Sequence, residues 1–151
     1  MVTLFDEDSG VLHLGQFSVC SRSEYDDFAK YFPEELILIY GREGNAKYCL
    51  REVIALFEEK FRLCFQFTNG VLTTLSLLLI SGPVQDFLDE CQSETNLLRE
   101  FEYVAHLLVK ALRAQKSLIN SMHYRWEYAW GSISLKYQIQ DSSIVTLINW
   151  H

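Results

Sequence analysis

"KFRLCFQFTNGVLTTLSLLLI", residues 60 to 80, decides how the rest of the chain is read. Phe61, Leu63, Phe65 and Phe67 take alternate positions, the two-residue period that puts side chains on one face of a strand. Asn69-Gly70 follows, and this pair accepts positive φ at both central positions of a tight hairpin turn. "VLTTLSLLLI" then returns, apolar enough to be covered on much of both faces. A long antiparallel hairpin is expected at the centre of a sheet.

Toward the N-terminus, "VTLF" and "VLHLGQFSVC" flank "DEDSG", whose acids and glycine suit a hairpin turn. Ser23, with Asp26 three residues on, reads as a capping box before "EYDDFAKYF". Tyr25, Phe28 and Phe32 share one face of that short helix, and Pro33 stops it. "ELILIY" reads as a strand and "GREGNA" as a turn. "KYCLREVIALF" suits strand or helix and is taken as strand, because Tyr48, Val53 and Ile54 favour β.

Residues 83 to 116 change period. Pro83 suits a first helical turn, and Val84, Phe87, Leu88 and Cys91 recur at helical spacing. "QSETN" allows a bend. Leu97, Phe101, Val104, Ala105, Leu108 and Leu112 then form an apolar stripe, with Arg99, Glu102, His106, Lys110 and Arg113 mainly outside it. Acids gather early (Asp86, Asp89, Glu90) and bases late (Lys110, Arg113, Lys116), matching the helix dipole. Two long strands close the chain, "HYRWEYAWGSISLKY" and "SIVTLINW", joined by "QIQDS". The order predicts one α+β domain over residues 1–151. Its expected form is a curved antiparallel sheet of about six to eight strands packed on one long helix, with a short helix near the N-terminus.

With 151 residues, about half of them apolar, the chain can bury a sizeable core. Its first residues carry acids where a signal peptide needs bases, and "LSLLLI" is too short to span a bilayer as a helix. A soluble, cytoplasmic protein is expected. Cys20, Cys49, Cys64 and Cys91 form no Cys-x-x-Cys pair, so buried free thiols are expected. The net charge is −7. Up to Glu102 there are 18 acids against 8 Lys and Arg; beyond it, 2 against 5. Such an excess opposes non-specific binding to nucleic acid or to an anionic membrane.

Motifs for catalysis, metal binding or a cofactor are missing from the sequence. His106 has no second ligand in a His-Glu-x-x-His arrangement. "GSIS", 131 to 134, lacks the second glycine of a nucleophile elbow. "GREG", 41 to 44, has the spacing of a backbone-clamping loop but lies between strand-like runs, so a hairpin turn is expected. A non-motif enzyme could use an acid/base pair such as Glu102 with His106. In "YRWEYAW", 124 to 130, rings fall at every second position: Tyr124, Trp126, Tyr128 and Trp130. Burial against the long helix is the leading reading; a platform for stacking bases and a protein interface are the alternatives.

A non-enzymatic binder whose acids attract a basic partner accounts for these features. "YAWGSISLKYQIQDSSIVTLINW" and "KFRLCFQFTNGVLTTLSLLLI" resemble segments of small bacterial immunity proteins encoded beside polymorphic toxins, including contact-dependent growth-inhibition systems. The resemblance implies a cytoplasmic antidote that binds and occludes one cognate toxin, often a nuclease; from the charge balance and the missing motifs, no cofactor and no direct contact with nucleic acid or membrane are expected. Asp26, Asp27, Glu34 and Glu35 around the first helix, and Glu58 with Glu59 as a second patch, are the carboxylates expected to meet toxin Lys or Arg. The alternative function is a single-stranded nucleic-acid-binding module using the aromatic strand.

Overall fold

In the computed structural model, residues 1–80, 94–140 and 142–151 are described. The helical spacing expected at Val84, Phe87, Leu88 and Cys91 therefore lies outside the described residues. Strands β1 (Thr3–Asp6), β2 (Val11–Leu14) and β3 (Phe17–Val19) form a three-stranded antiparallel sheet. Helix α1 (Tyr25–Tyr31) follows. Then come β4 (Leu36–Arg42), β5 (Asn45–Leu50), β6 (Ile54–Leu56), β7 (Glu59–Thr68) and β8 (Val71–Leu79). Helix α2 (Glu94–Ala111) precedes β9 (Lys116–Asn120), β10 (His123–Tyr128), β11 (Gly131–Gln138) and β12 (Ser143–Trp150). The second sheet has nine strands in the order β4-β5-β7-β8-β12-β11-β10-β9, with β6 added against β7.

The central hairpin is as the sequence demands. β7 and β8 pair antiparallel, and Asn69 and Gly70 turn the chain at φ 52° and 77°. Phe61, Leu63, Phe65 and Phe67 are all buried, facing Leu75, Leu77 and Leu79 across the ladder or beside it.

The expected α+β architecture is not what forms. Twelve strands against two helices, among the described residues, make the molecule mostly β. Three turns that carry no Asn-Gly signature cut the segments more finely than their apolar pattern shows. "VLHLGQFSVC" breaks at Gly15, "KYCLREVIALF" between Leu50 and Ile54, and "HYRWEYAWGSISLKY" at Ala129–Trp130. Nor does the sheet wrap one long helix. α2 lies against β11 and β12, whereas α1 and the three-stranded sheet cover the β7 side. Phe28 of α1 packs on Phe65 and Phe67 at ring-centroid distances of 4.7 and 5.1 Å. Leu12, Leu14 and Val19 join the same buried cluster as Phe101, Leu108 and Ile148. The expected capping box is absent too: Glu24 is the N-cap of α1 and makes no side-chain cap bond, while the Ser23 hydroxyl accepts from the Cys20 N–H at 2.9 Å.

The thiols also depart from expectation. Cys49 on β5 and Cys64 on β7 are cross-strand partners and form a disulfide; Cys20 is free and half-buried. Register, which brought the two sulfurs together, cannot be read from cysteine spacing alone.

The aromatic row is consumed by packing. Trp126 is fully buried, and Tyr124 meets Phe101 of α2 edge-on at 5.0 Å. Trp130, in the turn after β10, stacks on Tyr128 at 4.8 Å and meets Phe5 of β1 edge-on at 6.0 Å. Its indole N–H donates to the Glu7 carbonyl at 2.8 Å. Gly10 is what lets the N-terminal hairpin approach so closely: φ is 73°, and a Cβ there would lie 2.3 Å from the Trp130 ring.

Glu100 lies within the apolar stripe of α2, between Leu97 and Val104 at helical spacing, and is only 5 % exposed. Burial pushes its carboxyl up to about 7 from 4.5. The native state therefore holds a proton that the unfolded chain releases between those values. Stability is fully present below pH 4.5 and is lost as pH rises through about 7. We expect wild type to lose on the order of 2–3 kcal/mol across that window through this group. Glu100→Gln should flatten the profile in urea unfolding at pH 5 and pH 8.

Candidate functional site

Three segments meet at the N-terminus of α1. The Tyr25 N–H donates to the Gly70 carbonyl at 2.9 Å, and the Leu72 N–H to the Ser23 carbonyl at 2.8 Å, so α1 is seated on the β7–β8 turn. The Gly70 N–H donates to the Gly44 carbonyl at 2.7 Å, and Asn69 N–H to Asn45 Oδ1 at 3.1 Å, which draws in the β4–β5 turn. Between them lies a cleft of about 360 Å³ lined by Glu24, Asp26 and Glu43 with Tyr25, Asn69 and Val71. All three acids are exposed, and no Lys or Arg among the described residues lines the cleft.

The floor beside it is aromatic. Tyr25 stacks on Tyr48 at 4.8 Å, and Tyr25 also meets Phe67 edge-on. Burial, a hydrogen bond with Tyr25 and the negative charge of Glu43 push the Tyr48 phenol up to about 12. It stays protonated at neutral pH. An anionic rim over rings suits an incoming lysine or arginine, which can pair with the carboxylates and lay its stem on the rings.

The six carboxylates singled out from sequence are not gathered in one place. Asp26 lines the cleft just described. Asp27, its helical neighbour, lines another of about 340 Å³ with Phe17, Lys30 and Tyr31. Adjacent residues on a helix diverge, and both are held exposed in the first turn, where the dipole favours acids. Glu34 and Glu35 lie before β4, an edge strand whose Leu38, Ile39 and Tyr40 are each more than half exposed. Apolar side chains at an unpaired edge beside acids have the make-up of a protein interface.

Glu58 and Glu59 sit at the far end of β7 from Asn69, about 30 Å of strand away. Both are engaged with α2: Glu58 pairs with Lys110 at 3.0 Å, and Glu59 accepts a hydrogen bond from the Tyr103 hydroxyl. Glu102 and His106 are both exposed on α2. Glu24 and Glu43 stand apart from the paired carboxylates in the sequence: Glu43 lies in the turn "GREGN", whereas Glu24, the N-cap of α1, has no turn motif of its own.

Protein-family models and curated protein sequences yield no match to the chain. A solved structure does match. It is described as "Rhs1-CT in complex with cognate immunity protein RhsI1", and one of its chains aligns over 99 % of this chain and 88 % of its own length, with TM-score 0.55 and 11 % identity. The two chains share a fold.

Proposed function

We propose that this chain is an immunity protein: it binds a cognate toxin and neutralises it by occlusion, without chemistry of its own. The observation that carries the reading is the end-to-end likeness, 99 % of the chain, to a chain from a complex containing a cognate immunity protein. The anionic cleft of Glu24, Asp26 and Glu43, with Asp27 in the neighbouring cleft of α1 and Glu34 and Glu35 before the edge strand β4, supplies the contact surface. Its natural counterpart is a cationic one. A nuclease domain, whose active cleft is positive to hold phosphate, fits that description, and the cytoplasm is where such a toxin would have to be met.

The stacking-platform alternative loses its main support, because Trp126 is fully buried and Tyr124 and Trp130 are packed on Phe101, Phe5 and Tyr128. A test of the acidic surface is the fourfold variant Asp26→Lys, Asp27→Lys, Glu34→Lys and Glu35→Lys, followed by stopped-flow association with the toxin at two salt concentrations. Association should slow at least about tenfold and lose most of its salt dependence. Unchanged rates would remove this surface from the interface while leaving the immunity reading standing.

A further inference from the structure

Among the described residues, β4 and β9 are the two end strands of the larger sheet. β4 pairs only with β5, so alternate backbone N–H and C=O groups along its other side face outward without a strand partner. Such an edge is ordinarily blunted by a charge or a proline inside the strand. β4 has neither there: "LILIY", residues 36 to 40, is uninterrupted apolar sequence, and Leu38, Ile39 and Tyr40 are exposed. One blunting device is present, a break in register against β5 between Leu38 and Tyr40. Leu36 to Leu38 on one side of the break and Tyr40 to Arg42 on the other keep regular pairing. The Tyr40 hydroxyl donates to Gln66 Oε1 at 2.7 Å and holds the ring in place. The edge is therefore preformed, which keeps the ordering cost of adding a strand small.

The charges of this edge lie at its two ends and are opposite in sign. Glu34 and Glu35 precede β4, and Arg42 closes it. None of the three is in an ion pair among the described residues. Arg51, whose N–H donates to the Glu35 carbonyl, offsets one charge at the first end, as Glu43 does at the second. Lys47, opposite Tyr40 on β5, adds to Arg42, so the ends stay opposite.

Two copies of β4 laid antiparallel about a two-fold axis bring the acidic end of each against the basic end of the other. With Leu38 opposite its own symmetry mate, Glu34 stands across from Arg42 at both ends, and Leu36 across from Tyr40. A parallel arrangement, or a wholly basic partner strand, sets like charges against each other at one end or both. We infer that the free chain pairs with a second copy of itself, β4 against β4, so that one sheet continues across two protomers. The dimer does not rest on the toxin reading; toxin and second copy compete for Glu34 and Glu35.

The test is sedimentation equilibrium of the full chain, with no toxin present, from about 5 to 500 µM. A reversible monomer–dimer equilibrium with a dissociation constant of about 10–100 µM is expected, since one edge strand makes a small interface. Arg42→Glu should weaken it at least about tenfold, and so should Glu34→Arg with Glu35→Arg. All three changes together restore opposite charges at each end and should return the dimer to within about threefold of wild type. Leu38→Lys, which sets two cations at the two-fold axis, should abolish it. Far-UV circular dichroism checks that the variants fold, and the wild-type measurement stands without them. A wild-type monomer throughout the range, open-ended oligomers in place of a dimer, a dimer that survives Leu38→Lys, or a folded triple variant that stays monomeric would overturn it.

Discussion

Glu7→Ala is expected to destabilise the fold by about 3–4 kcal/mol, a loss of roughly 10 °C in Tm for a chain of this size. Glu7 stands in the β1–β2 turn with its side chain 11 % exposed. Its carboxylate accepts the N–H groups of Arg113 at 2.9 Å and Ala114 at 3.0 Å and the Tyr128 hydroxyl at 2.8 Å. These bonds join the N-terminal hairpin to the chain leaving α2 and to β10, segments more than a hundred residues away. Bonds to a charged acceptor are each worth about 1.5–3 kcal/mol, and alanine would strand all three donors. Burial opposes ionisation of Glu7, but the donors of Arg113, Ala114 and Tyr128 outweigh it and hold the carboxyl below 4.5. The contribution is thus present above pH 4.5 and fades as pH falls through the folded value. In guanidinium unfolding, the gap between wild type and Glu7→Ala should narrow in acid. A gap below about 1 kcal/mol at pH 7 would mean these bonds do not tie the sheets together.

Trp126→Ala should cost about 3–5 kcal/mol, since the indole is fully buried. Its registered neighbours are Ile133 on β11 and Lys116 on β9. The more telling variant is Trp126→Phe. Indole Nε1 is buried with no partner among the described residues, so its removal breaks no hydrogen bond. The phenylalanine variant should lose less than about 1.5 kcal/mol. A Phe variant as damaging as Ala, by urea midpoint at constant slope, would show that the indole N–H has an acceptor after all.

Alternation and the Asn69-Gly70 turn made the central hairpin legible without coordinates, because both signals are local. The fold class was not. Turns at Gly15, at 51–53 and at Ala129–Trp130 lack strong turn pairs, and an apolar strand run over such a turn looks continuous. At the tip before β7 the positive φ values fall on Phe57 and Glu58, residues that seldom adopt them. What the helix covers is likewise decided by tertiary packing: a stripe such as Leu97, Phe101, Val104 and Leu108 shows that α2 is buried on one side but not against which strands. The acids were legible as a surface but not as a site. Asp26 was found, yet Glu24 and Glu43, its companions in the cleft, come from separate turns that only the docking of Gly70 against Gly44 brings together.

The central claim, neutralisation by binding, is tested most directly by capturing partners on the immobilised chain from a lysate of its source cells and identifying them by mass spectrometry. One polypeptide in about equimolar amount is expected, a basic C-terminal fragment of a large secreted protein, released as salt is raised. Recovery of nucleic acid in its place, or of no stoichiometric polypeptide, would contradict it.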